Sequence, residues 1–347
     1  MAPLTVEEEA IARGPVGKWL EERILSAAPP FDYQLIQGGL SNLTFLVTDG
    51  VGRHWVLRRP PLGKALGTAH DMGREVKVVS ALEATPVPVP PVVGYCEDEA
   101  LTGAPFYVMD FVEGMVLRTP EQAAAYPEAA ARQAIGEDLI DCLVAIHEVD
   151  PDEVGLGDLG RRDGYVERQL TRWSGQWGKS KTRELPAVEE VHRRLTASVP
   201  EQVETTIVHG DYRLDNVIFD IDGKVGAVVD WELSTLGDPR ADLGLLMVYW
   251  AEPGDPGISL LRPATVEPGF PGRADLLAHY RERSDRDLSG IEFFVALGYW
   301  KLAIIAEGIL ARFRGGQYGS DSSAGNEFEQ AVEVLADAAL ERTEGLG

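Results

Sequence analysis

Four side chains within a short stretch of this chain have the types and spacing to do chemistry together: Asp211, Arg213, Asn216 and Asp230. They lie in His209-Gly210-Asp211-Tyr212-Arg213-Leu214-Asp215-Asn216 and, after two apolar runs, in Val229-Asp230-Trp231-Glu232. An Asp, an Asn five residues later and a single Asp beyond a hairpin match the order of a base and two magnesium ligands in phosphoryl transfer. Asp211 is expected to take the proton of a hydroxyl attacking a γ-phosphate. Arg213 would stabilise charge on the transferring group. Asn216 and Asp230 offer the hard oxygens that Mg²⁺ accepts beside water and phosphate. The spacing defines a reaction and leaves the acceptor open. A surface hairpin with ordinary turn carboxylates would explain the hairpin but not the whole set.

The elements that must position these groups are legible in the pattern. Residues 217–219 and 225–229 are β-rich, and Asp222-Gly223-Lys224 between them is a turn signal, so the pair reads as a hairpin. Asn216 and Asp230 lie seven residues either side of Gly223, which predicts cross-strand neighbours at its open end. Upstream, 15–27 reads as a helix and 31–37, 43–48 and 54–59 as strands. A helix over 69–83, a proline-rich connector over 85–91 and strands over 92–96 and 105–110 complete a five-stranded sheet. The remainder is mainly helical.

Composition narrows the function classes. The chain has 347 residues, is 44% hydrophobic and carries a net charge of −24, which disfavours nucleic acid and anionic membranes as partners. Cys96 and Cys142 make no disulfide framework, and no Cys/His cluster suggests zinc. The acidic start, 1–13, lacks an apolar core, so no secretory signal is expected and the protein is expected to be cytoplasmic. The apolar stretch 291–310 contains Glu292, Lys301 and Glu307 and reads as a buried helix, not a membrane span. Residues 161–184 carry seven positive and three negative side chains, with Trp173 and Trp177 four apart on one helical face. This segment could hold a phosphate-rich substrate or simply be a solvated face.

The chain resembles the aminoglycoside phosphotransferase and choline kinase superfamily, and within it the kinase-like domains associated with acyl-CoA dehydrogenases. The resemblance rests on Gly38-Gly39-Leu40-Ser41-Asn42, Val56-Leu57-Arg58-Arg59-Pro60-Pro61, Arg74-Glu75 and Tyr107 to Gly114. It rests most strongly on the His209–Asn216 stretch and on Asp230-Trp231-Glu232 with Gly237-Asp238-Pro239 and Asp242-Leu243-Gly244. It implies an α+β, protein-kinase-like two-lobed fold: an N-terminal lobe, 1–110, with a five-stranded antiparallel sheet, and a mainly helical C-terminal lobe, 111–347. It also implies ATP and Mg²⁺. Gly39, Ser41 and Asn42 would then approach the phosphates. Arg58, standing where a lysine is usual, would contact them and pair with Glu75. Met109, Asp110, Phe111 and Val112 would meet adenine at the hinge. Asp242 matches the buried aspartate that anchors the catalytic loop, and His209 is expected to orient that loop.

Three functions stay open on the sequence. One is a phosphotransferase acting on a small-molecule hydroxyl such as that of a hydroxyacyl-CoA, with a metabolic link to an acyl-CoA dehydrogenase. The second is an aminoglycoside or amino-alcohol kinase, which the acidic surface would suit. The third is a nucleotide-binding regulator without catalysis, against which the intact Asp211, Asn216 and Asp230 count. A metal-dependent hydrolase would lack its usual His ligands. Acceptor contacts are expected from 161–183 and the late helices, including Trp250, Tyr299, Trp300, Lys301, Arg312 and Arg314. His147 is expected to cap a helix end.

Overall fold

Alternating side chains set the faces of the N-terminal sheet, and so decide which residues reach the site. The computed structural model describes residues 11–36, 42–61, 71–255, 263–315 and 322–346. The chain forms two compact units: Met1–Gly114 with Gly226–Leu233, and Met115–Val225 with Ser234–Gly347.

The first unit runs α1 (Arg13–Arg23), β1 (Asp32–Leu35), β2 (Leu43–Thr48), β3 (His54–Arg59), α2 (Met72–Leu82), β4 (Val92–Cys96) and β5 (Phe106–Asp110). Its sheet has the order β1-β2-β3-β5-β4, with every pairing antiparallel. Phe45, Val47, Leu57, Phe106 and Val108 bury against Trp19 and Leu20 of α1. Val56, Tyr107 and Met109 point the other way and pack with Met72 of α2. Arg58 is two residues past Val56, so the strand period sends it to the α2 face. Asp71 caps α2 by accepting from the Arg74 amide at 3.0 Å. That fixes the first turn, which carries the buried Glu75.

The second unit begins with β6 (Met115–Val116) and continues through α3 (Ala129–Glu148), α4 (Tyr165–Ser180), α5 (Pro186–Ala197), β7 (Thr206–Val208) and β8 (Val217–Phe219). β9 (Val225–Val228) carries the chain into the first unit, where the Val228 amide donates to the Pro88 carbonyl at 2.8 Å. The chain then resumes with β10 (Thr235–Gly237), α6 (Arg240–Tyr249), α7 (Arg273–Ser284), α8 (Ile291–Arg314) and α9 (Ser322–Arg342). β7 pairs with β10, and β6 with β8, both antiparallel. The Asp220 amide donates to the Lys224 carbonyl at 2.9 Å, closing the turn after β8.

Helix α8 is apolar on nearly every side, which demands burial all round. It is the one described helix long and apolar enough to cross a bilayer, yet 78% of its most apolar window is buried within the protein. It packs on α4, α5, α6 and α9. Its close approach to α6 depends on Gly244, where a Cβ would come within 2.7 Å of the Phe294 backbone carbon. Glu307, fully buried, accepts from the Thr182 amide and hydroxyl. His147 lies in the last turn of α3, but its ring bonds side chains and caps no carbonyl, because α7 and α6 cover that end.

Candidate active site

The loop after β7 is shaped by one buried carboxylate. Gly210 turns the chain with φ of +85°, a left-handed conformation that suits glycine. Asp242 of α6 accepts from the His209 amide at 2.6 Å and the Gly210 amide at 2.8 Å. Its third partner is the His147 ring at 3.4 Å, and that ring also bonds the Tyr280 hydroxyl at 2.7 Å. Burial alone would raise the Asp242 carboxyl, but the His147 bond, the nearby imidazoles and the Gly210 amide outweigh it and hold the group below its ordinary value. His209 accepts from the Asp211 amide through Nδ1 at 3.2 Å. The turn is fixed on both sides before the chain reaches Asp211.

Asp211 then meets a small set of donors. The Asn216 amide nitrogen reaches the Asp211 backbone carbonyl at 2.8 Å and its Oδ2 at 3.1 Å. Arg213 Nε lies 3.4 Å from the same Oδ2, and Arg213 Nη1 pairs with Asp215 at 3.2 Å. The Arg213 guanidinium lies over the Tyr249 ring, 4.6 Å from its centroid. Burial and the neighbouring Asp211 charge push the Tyr249 hydroxyl far up, so it stays protonated beside Asp211. A one-turn 3₁₀ segment, Leu214–Asn216, keeps Asn216 buried and turned back on the loop. With its nitrogen engaged, the Asn216 amide presents its oxygen away from Asp211. Sequence reasoning missed Tyr249, which lies 38 residues beyond Asp211 at the end of an apolar helix and carries no local signal.

The first unit gathers Arg58, Glu75 and Asp230. Arg58 Nη1 donates to Glu75 at 2.6 Å and Nη2 to Asp230 Oδ1 at 2.9 Å. Burial works against charge on Arg58, but Glu75, Tyr107 and Asp230 together hold its guanidinium well above its ordinary value. The expected Arg58–Glu75 pair is present, and the structure adds Asp230 as a second arm of the fork. Asp230 has φ of +68°, a strained conformation that Asp tolerates better than most residues. The Trp231 indole donates to the Val228 carbonyl at 3.0 Å, which pins the segment after β9 around that angle. Asn42 donates to Glu232 at 2.8 Å. Met109 is buried, Asp110 is exposed with its amide bonded to the Pro91 carbonyl, and Val112 is half-buried. Phe111 is exposed and set edge-on to His54. Gly39 and Ser41 lie outside the described residues.

Asn216 and Asp230 could each hold a hard cation, and they fall in different units. Among the described residues no group of three His, Cys, Asp or Glu side chains is arranged for a metal. An ion on an amide oxygen or a carboxylate here would complete its shell with phosphate and water, which is the habit of Mg²⁺. The donor chemistry fits that ion and does not fit zinc.

Much of the basic segment 161–184 is engaged structurally. Arg162 pairs with Asp152, Lys181 with Glu184, and Arg183 with Glu329 and Glu333. Arg168 donates to backbone carbonyls. Trp173 is the member that reaches toward the loop: the Lys301 ammonium lies 5.5 Å from its ring centroid and donates to the Gly210 carbonyl at 2.7 Å.

An antiparallel-sheet unit and a mainly helical remainder carrying this loop define a protein-kinase-like phosphotransferase. The pattern of the phosphotransferase enzyme family matches residues 32–276, and the chain belongs to that family. It is 34% identical over 317 residues to acyl-CoA dehydrogenase family member 11 of Gallus gallus and 32% identical over 314 residues to family member 10 of Mus musculus. Those matches cover 89% of this chain but only 40% and 29% of the two proteins, so the chain spans less than half the length of either relative. A Ralstonia eutropha JMP134 structure, proposed to be an aminoglycoside phosphotransferase, superposes with a TM-score of 0.80 at 32% identity, covering 96% of this chain and 98% of that one. A thermostable mutant of aminoglycoside phosphotransferase APH(4)-Ia, in ternary complex with AMP-PNP and hygromycin B, shares the fold with a TM-score of 0.62 at 17% identity, covering 95% and 99%.

Proposed function

We propose that the chain transfers the γ-phosphate of ATP to a hydroxyl of a small molecule, and that this molecule is a hydroxyacyl-CoA thioester. The observation that carries the reading is the Asp211 carboxylate, held by Asn216 on a loop that Asp242 fixes from beneath. Nucleotide use is supported by the kinship with a phosphotransferase solved with AMP-PNP. The acyl-CoA acceptor is supported by relatives named as acyl-CoA dehydrogenases, whose shared portion is this one.

Asp211 is the base: the acceptor hydroxyl donates to it and releases its proton to it while attacking phosphorus. Asn216 holds the carboxylate in one rotamer, which removes the cost of orienting it during reaction. Arg213 offsets charge on the transferring group. Asn216 and Asp230 would hold Mg²⁺, which when bound neutralises phosphate charge. Arg58 would serve the phosphates from β3, and 109–112 the adenine.

The test is mass-spectrometric detection of phosphorylated product from hydroxyacyl-CoA thioesters and from aminoglycosides, with wild type and Asp211→Asn. Product from the thioesters alone is expected. The variant should turn over roughly 10²–10⁴-fold more slowly with ATP binding retained. Product from aminoglycosides alone would sink the acceptor assignment, and an unimpaired variant would sink the role of Asp211.

A further inference from the structure

We propose that Lys301, in the middle of α8, is a positioning residue that clamps the Gly210 peptide and so aims the base Asp211. The argument rests on the reading of Asp211 just given. A lysine within an apolar helix needs a reason to be there, since burying an ammonium is costly unless it is paired. Its helix neighbours Trp300 and Leu302 are buried, and Trp300 is tied to the α5 backbone through Val188 at 2.9 Å. The Lys301 ammonium donates to the Gly210 carbonyl at 2.7 Å. The amide of the same glycine donates to Asp242 at 2.8 Å. The residue preceding Asp211 is therefore held by an anion at its N–H and a cation at its C=O. Gly210 sits at φ of +85° without a side chain to restrict it, so these two bonds are what select its conformation.

Trp173 of α4 completes the seat. Its indole donates to Gln169 at 3.1 Å and its ring faces the Lys301 ammonium at 5.5 Å. Arg172 lies 5.4 Å from the same ring. Burial pushes the Lys301 ammonium down, while Asp211 and Asp242 favour its charge and Arg172 and Arg213 oppose it.

Lys301→Met keeps length and apolar bulk and removes the donor; Lys301→Arg keeps a donor. Both would be assayed with Asp211→Asn and wild type, using Mg²⁺, ATP and a 4-hydroxyacyl-CoA. Amide hydrogen exchange would be followed over 209–212 in the folded proteins. Lys301→Met is expected to lower kcat by about 10–100-fold, as for a small misplacement of a catalytic group, with the KM for ATP little changed. Faster exchange at Gly210 and Asp211 should accompany it, and Lys301→Arg should recover part of both. Wild-type kcat in Lys301→Met, or unchanged exchange at those amides, overturns the clamp. Should Lys301→Met not fold, Lys301→Leu, which also lacks a donor, carries the same comparison. Full turnover by Asp211→Asn would instead refute the base assignment, and the exchange data would still judge the clamp by themselves.

Discussion

Asp242→Asn is the perturbation with the most to say about how the loop is held. Asp242 is 1% exposed and answers three partners: two backbone amides at 2.6 and 2.8 Å and the His147 ring at 3.4 Å. Asparagine keeps one acceptor oxygen and replaces the other with an NH₂ that must face a donor. At least one buried N–H then loses its acceptor, which costs about 1–3 kcal/mol. Replacing charge-assisted bonds by neutral ones adds on the order of 1 kcal/mol. The expected loss is about 2–4 kcal/mol, a large share of the ~5–15 kcal/mol that holds a typical domain. The effect has a pH signature. Because the folded carboxyl lies below its ordinary value, its contribution is in place above the unfolded value of about 3.9 and disappears as pH falls through the folded one. Urea unfolding at pH 7, 5 and 3.5 measures this: the gap between wild type and variant should be full at pH 7 and 5 and should narrow at 3.5. Equal midpoints at pH 7, or a gap that does not shrink in acid, would refute the argument that the charged carboxylate organises the loop.

Two further substitutions separate the parts of the first unit. Asp230→Ala removes an oxygen donor and releases Arg58 Nη2, so isothermal titration should show nucleotide binding that no longer depends on Mg²⁺; a wild-type titration would make the metal assignment wrong. Arg58→Met leaves Glu75 buried without its cation, and breaking such a pair typically costs about 3–5 kcal/mol. Thermal unfolding should fall accordingly, while Arg58→Lys, which keeps a charge but cannot span both carboxylates, should lose less.

The parts legible in the sequence were those encoded locally. Alternating apolar residues marked β2, β3 and β5, and the Asp220–Lys224 turn was marked by Asp222-Gly223. The Arg58–Glu75 pair followed from motif order along the chain. What was not legible depends on contacts between distant positions. Asp242 was recognisable by motif, yet its link through His147 to Tyr280 joins positions 133 residues apart on two helices whose crossing no local pattern dictates. His147 therefore looked like a helix cap. Tyr249 sits on an apolar helix where it reads as an ordinary edge residue, and Lys301 read as an acceptor contact, not as a partner of the Gly210 carbonyl. The return of 226–233 to the first unit goes with bonds to Pro88, Arg58 and Asn42, all distant in sequence.

The wiring of the two half-sites has a mechanistic consequence. The partners described for the base and its loop, Asp242, Lys301 and Asn216, belong to the same unit as the base. Asp230 is held by Arg58 and the Trp231 turn of the other. Each set of bonds lies within one unit and can be perturbed by its own substitutions. Loop variants such as Asp211→Asn and Asp242→Asn should therefore lower kcat in protein that still binds nucleotide with its metal. Variants at Arg58 and Asp230 should weaken nucleotide and metal binding while amide exchange over 209–212 stays at the wild-type rate. A loop variant that lost metal-dependent nucleotide binding, or an Asp230 variant that loosened the Gly210 amide, would mean that the halves are coupled and that the contacts within each unit are not what fixes them.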